Sequence, residues 1–333
     1  MQLQDYHDVF ARSVEVVAEI GELLRAELQS GVRRVLITGA GGVMILTHPA
    51  LELLRKCSTV PVAYAHGAEL LAQWDDRIDG GTLAIIPTVS GSTAETVELA
   101  DKLRQSGARV LALTGKPDSP VADLATVSLS TPMTDATSSE VVYMQTLGAA
   151  LHLMHQVDGA DTGALLEDLT ALPDALIEAK REYTDSARRD AEFIAASDYH
   201  IIASAGNTWP EAHYYGMCIL EEMQWIRTRP VHASDFFHGT LELVEPGVSV
   251  LTMMGEGPMR TLSERVSAFA PRFTDRSHVI DTSVLTLTGL REAARILYSP
   301  IALATILDSV SRELEQIRNH PLTTRRYYKK LEY

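Results

Sequence analysis

Two short stretches hold residue types whose chemistry exceeds what packing requires. The first, IIPTVSGSTAETVELA, runs an apolar segment into Thr88, Val89, Ser90, Gly91, Ser92 and Thr93, and a helical pattern starts near Ala94. Hydroxyls and free backbone N–H groups at a helix start make an anion site, because the helix dipole favours a phosphate there. A helix cap needs only one hydroxyl, with Glu95 or Glu98 supporting the first turn, and this loop carries four. Neither the lysine of GxxxxGK[ST] nor the GxGxxG spacing is present, so a phosphate on a small molecule is the expected ligand. The second stretch, DFFHGTLELVEPG, sets His238 beside two phenylalanines and a glycine. An isolated histidine there reads first as a satisfied core ring. An imidazole that ordinarily titrates near about 6.5 is also suited to moving protons.

Positioning such groups takes a scaffold, and the apolar runs supply one. GVRRVLITGAGG reads as a strand closing on a glycine turn that contains Gly41 and Gly42, and THPALELLRKC as the helix after it. TVPVAYAHG, TLAIIPTVSG, ARVLALTG and the short ATVSLST read as four further strands, separated by helical stretches such as AETVELADKLRQSG. Strands alternating with helices predict a parallel sheet covered on both faces. Strand patterning resumes at DYHIIASAGN, after an acidic helical stretch. Setting TGAGG against ASAGN gives an offset of 165 residues, and the same offset brings Ser90-Gly91-Ser92-Thr93 onto Gly255-Glu256-Gly257-Pro258. The topology therefore reads as duplicated, while only the first half keeps the hydroxyl loop. The predicted organisation is an N-terminal helical segment (1–31), a first α/β domain (32–159), a helical connector (160–197) and a second α/β domain with a C-terminal tail (198–333).

Composition limits the partners. The 333 residues are 46% hydrophobic and 22% charged, with a net charge of -15, which argues against nucleic acid and anionic lipid as partners. No apolar run approaches the roughly 18 residues of a membrane span, and MQLQDYHDVFARSVEV has no signal-peptide pattern, so no membrane association is expected. Cys57 and Cys218 form no CxxC pair, so a disulfide or zinc framework is not expected and a cytoplasmic setting fits. His152 and His155 share a helix face, but no nearby residues complete a metal site; neither metal nor cofactor is expected.

The run TVSGSTAETVELADKLRQSGARVLALTGKPDSPVADLA resembles the sugar-isomerase (SIS) domain family, whose hallmark is a serine- and threonine-rich loop that holds a sugar phosphate. Two such domains in tandem resemble the isomerase part of glucosamine-6-phosphate synthase. With DFFHGTLELVEPGV and the terminal HPLTTRRYYKKLEY, the agreement is better with the fructosamine-6-phosphate deglycases. The resemblance covers roughly residues 32–333. It implies two flavodoxin-like parallel sheets flanked by helices, and a homodimer in which His238 completes the neighbouring subunit's site.

The resemblance also assigns roles. In these relatives a glutamate lies sixteen residues before the histidine of the HG motif, which here is Glu222 in MCILEEMQWI. On a regular helix Glu222 would share a face with Cys218, Ile219, Trp225 and Ile226, and desolvation there would raise its pKa toward neutrality, while Glu221 would be the more solvated neighbour. Glu222 is expected to shuttle a proton between C1 and C2, and His238 to open the ring and serve the oxygen-bound protons. Ser138 matches a sugar-contacting serine of the synthase, and Lys329 or Lys330 in the tail is expected near substrate. Departures are informative. Ile219 replaces the synthase's Schiff-base lysine, Tyr215 replaces an earlier glutamate, and Glu140 replaces a lysine. A fructosamine brings its own amine to the imine, so a deglycase can omit that lysine. The expected activity is hydrolysis of a 6-phosphorylated fructosamine to glucose 6-phosphate and free amine. The alternatives are a ketose/aldose or amino-sugar phosphate isomerase and, in another class, a sugar-phosphate-sensing binding protein.

Overall fold

A computed structural model describes residues 1–328, 330 and 331. The chain divides into two compact units, residues 1–174 and 175–333. The division falls inside the helix Gly163–Glu182, within the stretch that the sequence reads as a connector.

In the first unit the predicted strands form β1 (Arg34–Gly39), β2 (Val62–His66), β3 (Thr82–Thr88), β4 (Arg109–Thr114) and β5 (Val127–Ser130). They pair in parallel in the order β2-β1-β3-β4-β5, the flavodoxin-like order. Every residue of β3 is buried, which explains its unbroken apolar run: a central parallel strand has no solvent face. Leu36, Ala84, Ile86, Val110 and Ala112 from the sheet pack against Leu99, Ala100 and Leu103 of the helix Ala94–Gln105. The helix Leu3–Gln29 lies close along Ser138–Asp158, because Gly148 faces Val17 and Gly21 faces the His152 ring. Side chains at those two glycines would collide.

The second unit repeats the plan with β6 (Tyr199–Ser204), β7 (Arg227–His232), β8 (Ser249–Met254) and β9 (Ser277–Asp281), parallel in the order β7-β6-β8-β9. No described strand of this sheet corresponds to β5. The helix Glu292–Arg318 corrects the composition reading, since one 18-residue window reaches a mean hydropathy of 1.3. Two-thirds of that window is buried inside the protein, as in a core helix. The apolar surface is spent on packing.

In each sheet the strand order reverses beside the first strand, and ligands of open parallel sheets bind outside the strand ends at that point. In the first unit the reversal lies between β1 and β3. Those strands end in the Gly39–Gly42 turn and the Thr88–Thr93 loop, the two segments singled out above.

Candidate functional site

The hydroxyl loop is built by a buried strand that stops and a helix that starts. Thr88 is buried at the end of β3, and its Oγ1 accepts a hydrogen bond from Gly91 N–H at 3.1 Å, curling the loop. Gly91 is required twice over: its φ is 62°, and a Cβ there would strike the Ser119 hydroxyl. Ser92 Oγ donates to Ser90 Oγ at 3.1 Å. Thr93 occupies the N-cap position of Ala94–Gln105 with an exposed side chain and makes no side-chain cap bond. Plain capping therefore does not account for Thr93. Exposed Ser92 and Thr93 and half-buried Ser90 stand at the open N-terminus of a 12-residue helix.

The other predicted residues of the first unit have different surroundings. Gly41, with φ 67°, precedes the five-residue helix Gly42–Leu46, which the sequence reading did not foresee. Ser138 is buried at the first position of Ser138–Asp158, with Glu140 buried two residues on in the same turn. Val89 is half-buried within the loop. His152 is held below its ordinary pKa by burial, and no group of described residues could hold a metal ion.

The equivalent loop of the second unit cannot take an anion in the same way. There Glu256 projects a carboxylate, and the Arg295 guanidinium binds it through two bonds of 2.8 and 3.1 Å. Arg260 is committed to Asp281 and to the Gly255 carbonyl. An ion pair fills the place that hydroxyls occupy in the first unit.

Glu222 sits in a geometry that a regular helix would not give. The helix Trp209–Tyr214 continues as a π-helical turn, Tyr215–Glu221, and Glu222 N–H donates to the Met217 carbonyl five residues back. Such turns are rare and concentrate at functional sites. Trp225 then adopts φ 57° and the chain breaks away into β7. The helix-face expectation is corrected accordingly. Cys218, Ile219 and Ile226 are buried, but Trp225 is 37% exposed. The Glu222 carboxylate is not surrounded by apolar groups, for Arg325 Nε donates to its Oε1 at 2.7 Å. Burial, followed by the nearby Glu222 carboxylate, pushes the Cys218 thiol well above its ordinary range, so it stays protonated. Glu221 is exposed but not idle. Its Oε1 accepts from Thr228 N–H at 3.2 Å and Thr228 Oγ1 at 2.6 Å, tying the helix end to β7.

Arg325 belongs to the C-terminal segment, which folds against this turn. Its Nη1 donates to the Leu322 and Thr324 carbonyls, Gln224 Nε2 donates to the His320 carbonyl, and the His320 ring meets Trp225 edge-on. A cleft of about 790 Å³ opens beside these contacts, lined by Glu221, Glu222, Trp225, Arg325, Arg326 and Tyr327 among others. The basic tail is visible in the sequence, where its lysines are the expected substrate contacts. Lys330 is exposed, and its Nζ donates to the Arg325 carbonyl within the tail; Lys329 lies outside the described residues. No local pattern distinguishes Arg325 from Arg326; only the folded tail does.

His238 is exposed in the turn after the short helix Ala233–Phe236, and its ring has no hydrogen-bond partner among the described residues. It is not a core histidine. Gly239 follows with φ 152°, a conformation that other residues rarely adopt. His238 is not among the residues that line the Glu222 cleft.

Comparison with known proteins agrees with this architecture. Residues 30–155 match the family described as "SIS domain". Over 329 residues the chain is 26% identical to fructosamine deglycase FrlB of Bacillus subtilis (strain 168), spanning 96% of this chain and 99% of that one. It is 25% identical to fructoselysine 6-phosphate deglycase of Escherichia coli (strain K12), spanning 98% and 93%. A Bacillus subtilis structure described as a phosphosugar isomerase superposes with a TM-score of 0.85 at 26% identity, over 96% of this chain and 99% of the other. In sequence and in fold the chain is thus similar to proteins named as deglycases and to a structure named as a phosphosugar isomerase.

Proposed function

Given that this chain belongs, through residues 30–155, to the SIS domain family, we propose that it is a fructosamine-6-phosphate deglycase. The observation that carries the reading is the Glu222 carboxylate, placed by a π-helical turn at the border of a cleft and partnered by a cation. An ionised carboxylate is the form a general base requires, and a neighbouring guanidinium favours that form.

The substrate carries its amine on C1, its carbonyl on C2 and its phosphate on C6. The hydroxyl loop of the first unit binds the phosphate through Thr88, Ser90, Ser92 and Thr93 with the Val89–Gly91 backbone, while Gly41, Gly42 and Ser138 border the sugar. His238 opens the ring by exchanging the oxygen-bound proton. Glu222 removes a proton from C1 to give an enaminol and returns it to C2, leaving an imine between C1 and nitrogen. Water adds to that imine; C1 leaves as the aldehyde of glucose 6-phosphate, and the amine departs with the remaining proton. No net oxidation occurs, and no cofactor enters the balance. His238 acts on the neighbouring subunit of a cytoplasmic homodimer, a reading supported by an exposed ring with no partner in its own unit. In the tail, Lys330, expected at the substrate, bonds to the Arg325 carbonyl, and Arg325 itself stands next to the catalytic carboxylate.

The competing reading is an isomerase that forms an imine through a lysine. Position 219, where the synthase has that lysine, is a buried isoleucine. The deciding experiment offers fructose 6-phosphate and a panel of fructosamine 6-phosphates. Release of glucose 6-phosphate with one equivalent of amine is expected from a fructosamine. Fructose 6-phosphate is expected neither to isomerise appreciably nor to leave a borohydride-trapped adduct. Rapid isomerisation of fructose 6-phosphate without activity on any fructosamine overturns the proposal in favour of the isomerase.

A further inference from the structure

The charges around the Glu222 cleft are not all used by the fold. Six charged residues line it: Asp198, Glu221, Glu222, Arg227, Arg325 and Arg326. Glu222 and Arg325 neutralise each other, and Glu221 is engaged by Thr228. The side chains of Arg227, Arg326 and Asp198 have no ion-pair partner among the described residues, although all three are exposed at the cleft. Arg326 is nevertheless held in place. Its guanidinium lies over the Trp225 indole, 3.9 Å from the ring centre, and the ring is buttressed by His320 at 4.6 Å. A guanidinium fixed on an aromatic face keeps its planar N–H edge for a carboxylate, which it binds better than a flexible ammonium would.

We infer that this cleft is the subsite for the amine half of the substrate, with Arg326 and Arg227 receiving a carboxylate and Asp198 an ammonium. The assignment rests on the deglycase reading through one chemical fact. Glu222 works at C1, and C1 bears the amine, so the group carried by that nitrogen must lie beside Glu222. A cleft of about 790 Å³ falls within the range of small-ligand sites, roughly 300–1,000 Å³, and has room for an amino-acid side chain and its head group. The charge pattern selects among amines. An amino acid joined to the sugar through its side-chain nitrogen keeps both its α-carboxylate and its α-ammonium, and so matches two cations and one anion. One joined through its α-nitrogen presents the carboxylate without a separate ammonium. A plain alkylamine presents neither.

The test compares three substrates in one enzyme preparation: 6-phosphofructosyl lysine linked through its side chain, its α-carboxamide, and its α-N-acetyl derivative. The wild-type enzyme is expected to lose about 10- to 100-fold in kcat/KM with each derivative, the range for one hydrogen-bonded charge. In Arg326→Gln the ratio of acid to carboxamide should collapse toward one, and in Asp198→Asn the ratio of free to acetylated amine should do the same. Ratios within one preparation cancel any loss of folded protein. Derivatives turned over as well as the parent, or ratios unmoved by the substitutions, overturn the subsite while leaving deglycase activity intact. Cleavage of an α-nitrogen-linked fructosamine 6-phosphate with none of these three cleaved also overturns the subsite, and absence of glucose 6-phosphate release from every fructosamine 6-phosphate overturns the deglycase reading itself.

Discussion

Arg325 Nε donates to Glu222 Oε1 at 2.7 Å, so the C-terminal segment provides the counter-charge of a carboxylate more than 100 residues earlier. A cation in contact stabilises the ionised acid. Replacing it with a neutral group makes Glu222 take up a proton at higher pH. Arg325→Gln is therefore expected to move the acidic limb of the kcat/KM–pH profile upward and to lower kcat. An acidic limb that stays in place would mean that the pair is structural only.

Glu222 and Glu221 are adjacent and should differ in kind. Glu222→Gln is expected to preserve folding while kcat falls by at least about 10²-fold, the usual loss for a general acid–base group. Glu221→Gln weakens the acceptor for Thr228, which should cost about 1 kcal/mol of stability with little change in kcat. Steady-state kinetics and urea unfolding on both variants separate the two roles. Identical kinetic losses would sink the assignment of Glu222.

The loop makes a prediction that capping would not. Since Thr93 forms no cap bond, Thr93→Val should leave the unfolding midpoint unchanged. Combined with Ser90→Ala, it should raise KM far more than it lowers kcat, because phosphate contacts persist from ground state to transition state. Each lost hydrogen bond to a charged group is worth about 1.5–3 kcal/mol. A drop in thermal stability with KM unchanged would return the loop to a purely structural role.

His200 gives the fold a pH dependence that can be isolated. It is buried between Ser249 Oγ, 2.7 Å from Nδ1, and the Ile194 carbonyl, 3.0 Å from Nε2, and burial pushes its pKa down to about 4. In the unfolded chain the ring titrates near about 6.5. Between these values the unfolded chain binds a proton that the folded chain does not, so stability rises with pH. The ring's contribution is complete above about pH 6.5 and is lost as the pH falls toward 4, a change of about 3 kcal/mol. Urea unfolding of the wild type and His200→Gln should show their stability difference shrinking across that window. A constant difference would contradict the shift.

The chain's own pattern carried much of this protein. Unbroken apolar runs such as Leu83–Ile86 mark strands buried on both faces, because a parallel sheet under helices leaves them no polar side. Gly91 and the four hydroxyls beside it were legible for the same local reason: a turn between strand and helix constrains residues that are neighbours in the chain. The duplicated strand order was legible too, as was the replacement of the hydroxyls by Gly255-Glu256-Gly257-Pro258. What tertiary structure decided was long-range or cooperative. Periodicity assumes 3.6 residues per turn, so it put Glu222 among the apolar groups of one regular helix face; the π-helical turn and the left-handed Trp225 end that regularity, and Glu222 meets Arg325 instead. The basic tail could be seen, but its partner could not. Which of Arg325, Arg326 and Lys330 meets Glu222 depends on how residues 319–328 turn back over Gln224 and Trp225, and a charge pair separated by 103 positions leaves no periodic trace.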